Sequence, residues 1–287
     1  MQKLIFTNSR GRSIEFKNSA PFLLQKFDPS PSKATILISK APGQNGKSLR
    51  GTLLEEVILP IEIAILGENS EDMFAKRQEL YSIFNPTLTG TLTYINGAGE
   101  HKIQCVVQDI APKNRIEPVQ QFLIQLYCHN PFWEELQEAK EEIATWVGDF
   151  EFELEIPDEG IEMGHRESNL IVNILNKGDA ECGMRIEFTA LATVVNPSLF
   201  DIYTRKFLKV KRTLQAGDKL VVNTSFANKK VELIKSNGIA QNVINWIDLQ
   251  TTFLQLAVGD NLLRYDADQG IDNLECAIYH SHLYVGV

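Results

Sequence analysis

Apolar and polar residues alternate over short stretches of this chain, and a period of two is typical of strands with one buried face. The first half contains several such stretches and one longer apolar run, and together they predict strands at Lys3–Thr7, Arg12–Phe16, Ala34–Ser39, Ile58–Leu66, Gly90–Ile95, His101–Val107 and Phe122–Tyr127. The first two flank the turn sequence NSRG, so we expect them to form a hairpin. The pattern therefore predicts a β-rich N-terminal region.

One segment of this region, residues 70–86, departs from that period and predicts a helix. Its apolar residues recur at helical spacing and are expected to share one face: Met73, Phe74, Leu80, Tyr81 and Phe84. Glu71 and Asp72 would lie in the first turn, where the helix dipole favours negative charge. Asn85-Pro86 would end the helix, because proline cannot continue its hydrogen-bond ladder.

The second half predicts a β-sandwich, because short strands recur there between turns rich in glycine, asparagine and aspartate. The candidate strands are Leu170–Leu175, Met184–Thr189, Ser198–Tyr203, Lys206–Val210, Lys219–Asn223, Lys230–Ile234, Phe253–Leu256, Leu262–Tyr265 and Leu274–Tyr279. Before them, Glu134–Val147 is consistent with a short acidic helix, and Phe150–Ile156 with a strand exposed on one face. We therefore predict a mostly β protein of two domains, residues 1–135 and 161–287, joined by an acidic connector at residues 136–160.

Negative charge is concentrated in the middle of the chain. The net charge is −9, and the window from Glu134 to Glu167 holds thirteen acidic residues against Lys140 and Arg166. Charge blocks of this kind are usually solvated, so we expect an exposed and flexible connector. No basic patch stands out in the sequence, and sequence-independent binding of a nucleic-acid backbone is therefore not expected.

Composition favours a soluble globular protein. The hydrophobic fraction is 44% and the charged fraction 23%, and the most apolar stretch, Val57–Leu66, is too short to span a bilayer. The first residues contain no apolar core of signal-peptide length, so an intracellular product is expected. The cysteines form no CxxC pair and are expected to be buried free thiols: Cys105, Cys128, Cys182 and Cys276.

Two fragments suggest chemistry without completing a site. Gly46-Lys47-Ser48 resembles the end of a phosphate-binding loop, but Ala41 stands where its first glycine is needed and the sequence that follows predicts no helix. His280 and His282 would share one face of a strand, but two histidines alone do not make a metal site. We therefore predict no catalytic, cofactor or metal residues, and no enzyme.

The whole chain resembles the distal tail proteins, often called Dit, of long-tailed bacteriophages and related prophages. LIFTNSRGRSIEF is similar to the family's first hairpin, and GQNGKSLRG with VILPIEIAIL resembles the loop and strand that follow it. LYSIFNPTLTGTLTY is similar to the end of the family's helix and its next strand, and FLIQLYCHNPFW to the segment that closes the N-terminal domain. NKGDAECGMRIEF, NPSLFDIYTRKFLKV, LQAGDKLVVNTSFANKKVEL and the last 35 residues resemble the C-terminal domain.

This resemblance implies a structural component of the tail tip in the virion, made in the bacterial host cytoplasm before assembly. The N-terminal domain would form a homohexameric ring around a channel through which DNA passes without being specifically bound. The C-terminal domain would be a galectin-like sandwich. The implied partners are the tail tube protein, a tail-associated protein and a receptor-binding protein, with no membrane and no cofactor. We expect an unpaired strand edge to close the ring, offered by Ile58–Leu66 or by Gly90–Ile95.

The alternative class is a carbohydrate-binding module or an accessory domain of an enzyme. Such a module would need aromatic platforms, and the chain offers only Trp133, Trp146 and Trp246 as tryptophans.

Overall fold

The computed structural model of this protein describes residues 2–30, 32–142, 144–147, 165–168 and 171–287. The chain divides into two compact units, Met1–Leu136 with Leu283–Val287 and Gln137–His282. No helix in these described ranges is long and apolar enough to cross a bilayer.

Strands dominate both units. The first unit contains β1 Lys3–Asn8, β2 Ser13–Phe16, β3 Phe22–Phe27, β4 Ala34–Ser39, β5 Ser48–Leu54, β6 Val57–Leu66, α1 Ser70–Ile83, β7 Thr89–Ile95, β8 Glu100–Ile116, β9 Val119–Cys128 and β10 Trp133–Glu135. The second unit contains β11 Ala139–Glu142, β12 Ala144–Val147, β13 His165–Ser168, β14 Ile171–Asn176, β15 Met184–Ala190, β16 Val194–Asp201, β17 Phe207–Lys209, β18 Thr213–Leu214, β19 Lys219–Asn223, β20 Lys230–Ile234, β21 Ala240–Asn242, β22 Gly259–Gln269 and β23 Leu274–His280. The last strand, β24 Leu283–Tyr284, belongs to the first unit.

The sheet of the first unit curls back on itself. Its strand order is β2-β1-β7-β8-β9-β6-β3, and a bridge between Lys17 and Leu23 links the two ends. The curled sheet and α1 enclose the core, in which Phe6 stacks on Phe84 with ring centroids 4.2 Å apart. This closure leaves β6 paired on both sides, with β9 and β3, and β7 paired with β1 and β8. The expectation that one of these two strands offers a free edge is therefore wrong.

Helix α1 begins and ends where the sequence predicts. The side chain of Asn69 accepts a hydrogen bond from the backbone N–H of Asp72, 2.9 Å away, and so caps the first turn. Met73, Leu80 and Phe84 are buried as predicted. Phe74 and Tyr81 are 42% and 37% exposed, however, so the single apolar face predicted for all five residues is wrong. Seven residues apart, they lie on one outer face of the helix.

The second unit consists mainly of two sheets. One has the order β11-β23-β15-β19-β20-β21, and the other β14-β22-β16-β17 with β18 beside β16. In β23 of the first sheet and in residues 261–265 of β22 in the second, buried and more exposed positions alternate, which is the pattern of a two-sheet sandwich. The predicted fold class, mostly β in two parts with one N-terminal helix, is confirmed for the described residues. The predicted strand at Phe253–Leu256 is wrong, since this segment makes only an isolated bridge from Leu256 to Cys182.

The start of the acidic segment forms strands, where the sequence predicts a helix. Strands β10, β11 and β12 replace the helix expected over Glu134–Val147. Strand β11 pairs with β23, and Arg185 of β15 donates to Glu138 at 2.7 Å, so cations from distant strands compensate part of the charge. The strand predicted at Phe150–Ile156 lies outside the described residues. Residues 148–160 of the predicted connector lie outside them as well.

The last residues of the chain belong with the first unit rather than with the second, where the predicted boundary placed them. Strand β24 pairs with β10, and the hydroxyl of Tyr284 donates to Glu135 at 2.7 Å. Strands β10 and β24 are almost 150 residues apart, so the sequence around either one does not indicate that they pair.

Candidate assembly surfaces

The glycine-rich fragment lies at the tip of the β4–β5 hairpin. Ser48 begins a strand, not a helix, and its Oγ accepts a hydrogen bond from Gln44 Nε2 at 2.9 Å. A helix N-terminus is what a phosphate-binding loop of this kind requires behind it. The geometry of the tip is therefore that of a hairpin turn.

His280 and His282 lie close together, but β23 ends at His280, so they do not share one face of a strand as predicted. Both are buried, with ring centroids 5.1 Å apart, and the backbone N–H of Lys177 donates to Nδ1 of His282 at 3.3 Å. Within the described ranges, no group of three or more His, Cys, Asp or Glu side chains is placed to hold a metal ion. The pair packs within the core of the second unit.

All four cysteines are free and buried, as the sequence predicts. A hydrogen bond with Cys128, together with burial, raises the pKa of the Cys105 thiol. Burial raises the pKa of Cys182 to about 12, and it raises that of Cys276 also. Thiols held protonated in this way are poor nucleophiles and poor metal ligands.

The β4–β5 hairpin, with Lys33 before it, forms a projection that we call the hairpin arm, residues 33–54. Its two strands pair only with each other among the described strands, and no residue from Ala34 to Leu54 is buried. Cross-strand partners lie on the same face, and one face therefore collects four large aliphatic side chains: Ile36, Ile38, Leu49 and Leu54. Their exposed fractions run from 37% to 67%.

The hairpin arm is also basic. It carries four cations and no carboxylate, and these cations are Lys33, Lys40, Lys47 and Arg50. The remainder of residues 1–136 holds ten Lys and Arg against fourteen Asp and Glu. Lys33 pairs with Glu55, which directly follows the arm, so Lys40, Lys47 and Arg50 are the cations of the arm outside that ion pair.

A second exposed apolar surface, which we call the helix surface, consists of Phe74 and Tyr81 on the outer face of α1. The guanidinium carbon of Arg115 lies 4.9 Å from the centroid of the Phe74 ring, which connects α1 with the end of β8. Ile116 is 79% exposed. The sequence does not reveal this surface, because Phe74 and Tyr81 fit the same helical apolar pattern as the buried residues of α1.

The charged side chains of one groove in the second unit already have partners within the protein. The groove is lined by Phe200, Phe207, Lys209, Asp248, Arg264 and Asp266. Its cations are engaged by acids, Lys209 with Asp268 at 2.6 Å and Arg264 with Asp266 at 3.2 Å.

The two tryptophans whose side chains are described, Trp133 and Trp246, are engaged within the protein. Trp133 is buried and donates from Nε1 to the carbonyl of Pro29 at 2.8 Å. The guanidinium carbon of Arg212 lies 4.5 Å from the ring centroid of Trp246. The side chain of Trp146 lies outside the described part of the structure.

Two family models match the chain. The phage tail protein RIFT-related domain matches residues 9–128, and the C-terminal domain of the siphovirus-type tail component matches residues 177–282. These two domains in this order define a structural tail component of siphovirus-type phages. The chain belongs to the distal tail protein, or Dit, family, as its resemblance to that family implied.

Solved structures share the fold over the full length of the chain. The Dit protein of phage SPP1, described as a paradigm of the hub adsorption apparatus in phages that infect Gram-positive bacteria, is 13% identical with a TM-score of 0.68, covering 98% of each chain. A chain of the phage P2 baseplate in its activated conformation with Ca is 12% identical with a TM-score of 0.58, covering 100% of this chain and 99% of its own. A chain of the same baseplate with Sr is 11% identical with a TM-score of 0.59, covering 100% of both. No curated protein matches the chain.

Proposed function

We propose that this chain forms a homohexameric hub ring through its N-terminal unit, at the point where the tail tube meets the baseplate. The supporting observation is the hairpin arm, whose exposed aliphatic face and separate strand pairing are typical of a surface that is covered on assembly. Its cations support the same proposal, since the rest of the unit carries an excess of acids.

The second unit would serve as the attachment domain. We propose that this sandwich, with the galectin-like character that the family resemblance implies, binds a tail-associated or receptor-binding protein on the outside of the ring. Its paired groove charges and the arginine over Trp246 favour a structural role over sugar binding, and the exposed aromatic side chains of the unit are Tyr203 and Phe226 rather than a described tryptophan. An oligosaccharide titration tests the alternative directly, because a carbohydrate-binding module would give saturable binding that the structural role does not need.

The ring would leave a central channel through which viral DNA passes without being held. Lys and Arg side chains retain DNA through counterion release, so cations belong away from the channel wall. An arm packed against a neighbouring subunit would remove its four cations from that wall. This reading needs no catalytic residue, cofactor or metal. The protein would be made in the bacterial host cytoplasm and act in the virion.

Light scattering on the purified full-length protein, followed by negative-stain microscopy, tests the ring. The expected particle contains six chains around an opening. The full chain is needed, because a truncation after β10 would remove β24, which pairs with it. A protein that stays monomeric up to its solubility limit would contradict the proposal for the isolated protein.

A further inference from the structure

Two cysteines of the first unit lie directly opposite each other in its sheet. Cys105 belongs to β8, and Cys128 is the last residue of β9. Val106 and Tyr127 are register partners between these antiparallel strands. The residues one position further along each strand are the two cysteines, which therefore also face each other. Both are buried in the core of the unit, and a hydrogen bond joins their thiols, so the two sulfur atoms are in contact.

This placement meets the distance requirement of a disulfide. Directly opposed residues of an antiparallel pair have Cα atoms about 4.5–5.5 Å apart. A disulfide forms where the two Cα atoms lie roughly 4.4–6.8 Å apart. The bond between the two sulfur atoms therefore needs rotation of the side chains and little movement of the strands.

The other two cysteines face different residues. Cys182 forms an isolated bridge with Leu256. Cys276 of β23 faces Phe188 of β15. Both cysteines belong to the second unit. Oxidation of the folded chain is therefore expected to select the pair in the first unit.

We propose that Cys105 and Cys128 are a redox pair, which a low-molecular-weight disulfide such as oxidised glutathione converts into a cross-strand disulfide. The thiolate of one cysteine attacks the small disulfide, which forms a mixed disulfide and releases one small thiol. The thiolate of the second cysteine then attacks the protein sulfur of that mixed disulfide and releases the other small thiol. The protein loses two electrons and two protons, and the small disulfide gains both.

The exchange requires this end of the sheet to open. The hydrogen bond with Cys128, together with burial, raises the pKa of the Cys105 thiol, so the closed sheet holds a protonated sulfur away from the oxidant. Cys128 ends β9, and its register partner on the other side, Val57, begins β6. Strand ends open more readily than strand centres. The pair thus stays reduced in the closed protein and reacts when this end opens or when the chain refolds.

The bond would stabilise the first unit by joining β8 to β9 across the segment from 105 to 128. A cross-link of this kind restricts the unfolded chain and so raises the free energy of unfolding. In the virion location proposed above, outside the reducing cytoplasm, a unit that closed again with the bond would be held more firmly in its native fold. That consequence rests on the proposed function, whereas the disulfide itself does not.

Refolding of the full-length protein tests the pair. The chain is unfolded in urea and diluted into excess oxidised glutathione, or into reduced glutathione as the reference. After digestion with trypsin without reductant, mass spectrometry should find the peptide of Cys105 joined to that of Cys128, since Lys113 and Arg115 lie between them. The thermal midpoint of the first unit should be higher in the oxidised protein by roughly 5 °C or more, and dithiothreitol should cancel the difference.

A matched pair of variants separates the bond from general effects of oxidation. Cys128→Ala should abolish both the joined peptides and the rise in midpoint, whereas Cys276→Ala, which also removes a buried thiol, should retain both. The peptide map of the unmodified protein decides the question even if a variant fails to fold.

Three results of the oxidative refolding would overturn the inference. They are free or glutathione-bound thiols at both positions, disulfides to the other cysteines in equal yield, and a lower thermal midpoint in the protein that carries the bond. Ring assembly is measured separately by particle size, so either proposal can fail without the other.

Discussion

The side-chain amide of Asn8 donates a hydrogen bond to the carbonyl oxygen of Ile83, 3.1 Å away and 75 residues later in the sequence. The Oδ1 of the same side chain accepts from the backbone N–H groups of Arg10 and Arg12, each at 3.1 Å. One buried asparagine thus fixes the turn between β1 and β2 and satisfies a carbonyl at the end of α1.

Replacement of this asparagine should be costly. Asn8→Ala leaves a buried carbonyl without its donor, so we expect the free energy of unfolding to fall by about 1–3 kcal/mol in urea titrations. Asn237 serves as a matched control, because it is exposed and accepts only from the backbone of Ile239 in its own turn. Asn237→Ala should cost about 0.5 kcal/mol or less. Equal losses in the two variants would contradict the bridging role of Asn8.

Gly90 has no room for a side chain. A Cβ at this position would lie 2.4 Å from the ring of Phe6, which is itself stacked on Phe84. Gly90→Ala should therefore destabilise the first unit by about 1–3 kcal/mol through overpacking. At Gly97 a Cβ would meet nothing within 4 Å, so Gly97→Ala should leave the thermal midpoint nearly unchanged. An unchanged free energy of unfolding in Gly90→Ala would show that the ring of Phe6 can move aside.

The stability of the first unit should fall on acidification in a window set by His101. Burial lowers the pKa of this side chain below its ordinary value of 6.5, and Glu135 opposes the shift only in part. As the pH falls below 6.5, the histidine of the unfolded chain binds a proton more readily than that of the folded protein, so the free energy of unfolding decreases.

The measurement is the urea midpoint at about pH 7.5 and about pH 5.5, on either side of that ordinary value. His101→Gln should lose less stability than the unmodified protein between the two conditions. The difference between His101→Gln and the unmodified protein at about pH 7.5 alone is the control, because it measures the cost of the substitution that does not depend on pH. An unchanged slope in His101→Gln would remove this residue as the cause.

The four thiols should be inert in the native protein. A thiol reagent at neutral pH should label none of them until denaturant unfolds the chain, and should then label all four, because each is buried. Fast labelling of Cys182 in the native protein would contradict this expectation most directly, because burial raises the pKa of its thiol to about 12.

The sequence predicted most strands because their alternation reports one buried face. It did not predict the role of the β4–β5 hairpin, since alternation does not say whether the covering surface belongs to the same chain. The sequence predicts a strand at Ala34–Ser39 but none at Ser48–Leu54, where the structure has β5. Exposure in the folded unit is what distinguishes the arm from a core hairpin.

Long-range pairing explains the other differences. Strand β11 is acidic and looks solvated in the sequence, but it pairs with β23, and Arg185 reaches Glu138 from a neighbouring strand. Its Lys140 lies 5.8 Å from the ring centroid of Tyr279, in β23. None of these partners is close in sequence, so charge counting within a window could not find them. The same holds for the pairing of β10 with β24.

Single-particle microscopy of the purified full-length protein tests the central claim most directly. We expect class averages with six-fold symmetry, a central opening, and the first units on the inside of the ring. Particles that are monomeric at every concentration, or closed assemblies without an opening, would contradict the claim that this chain by itself builds the hub ring of the tail.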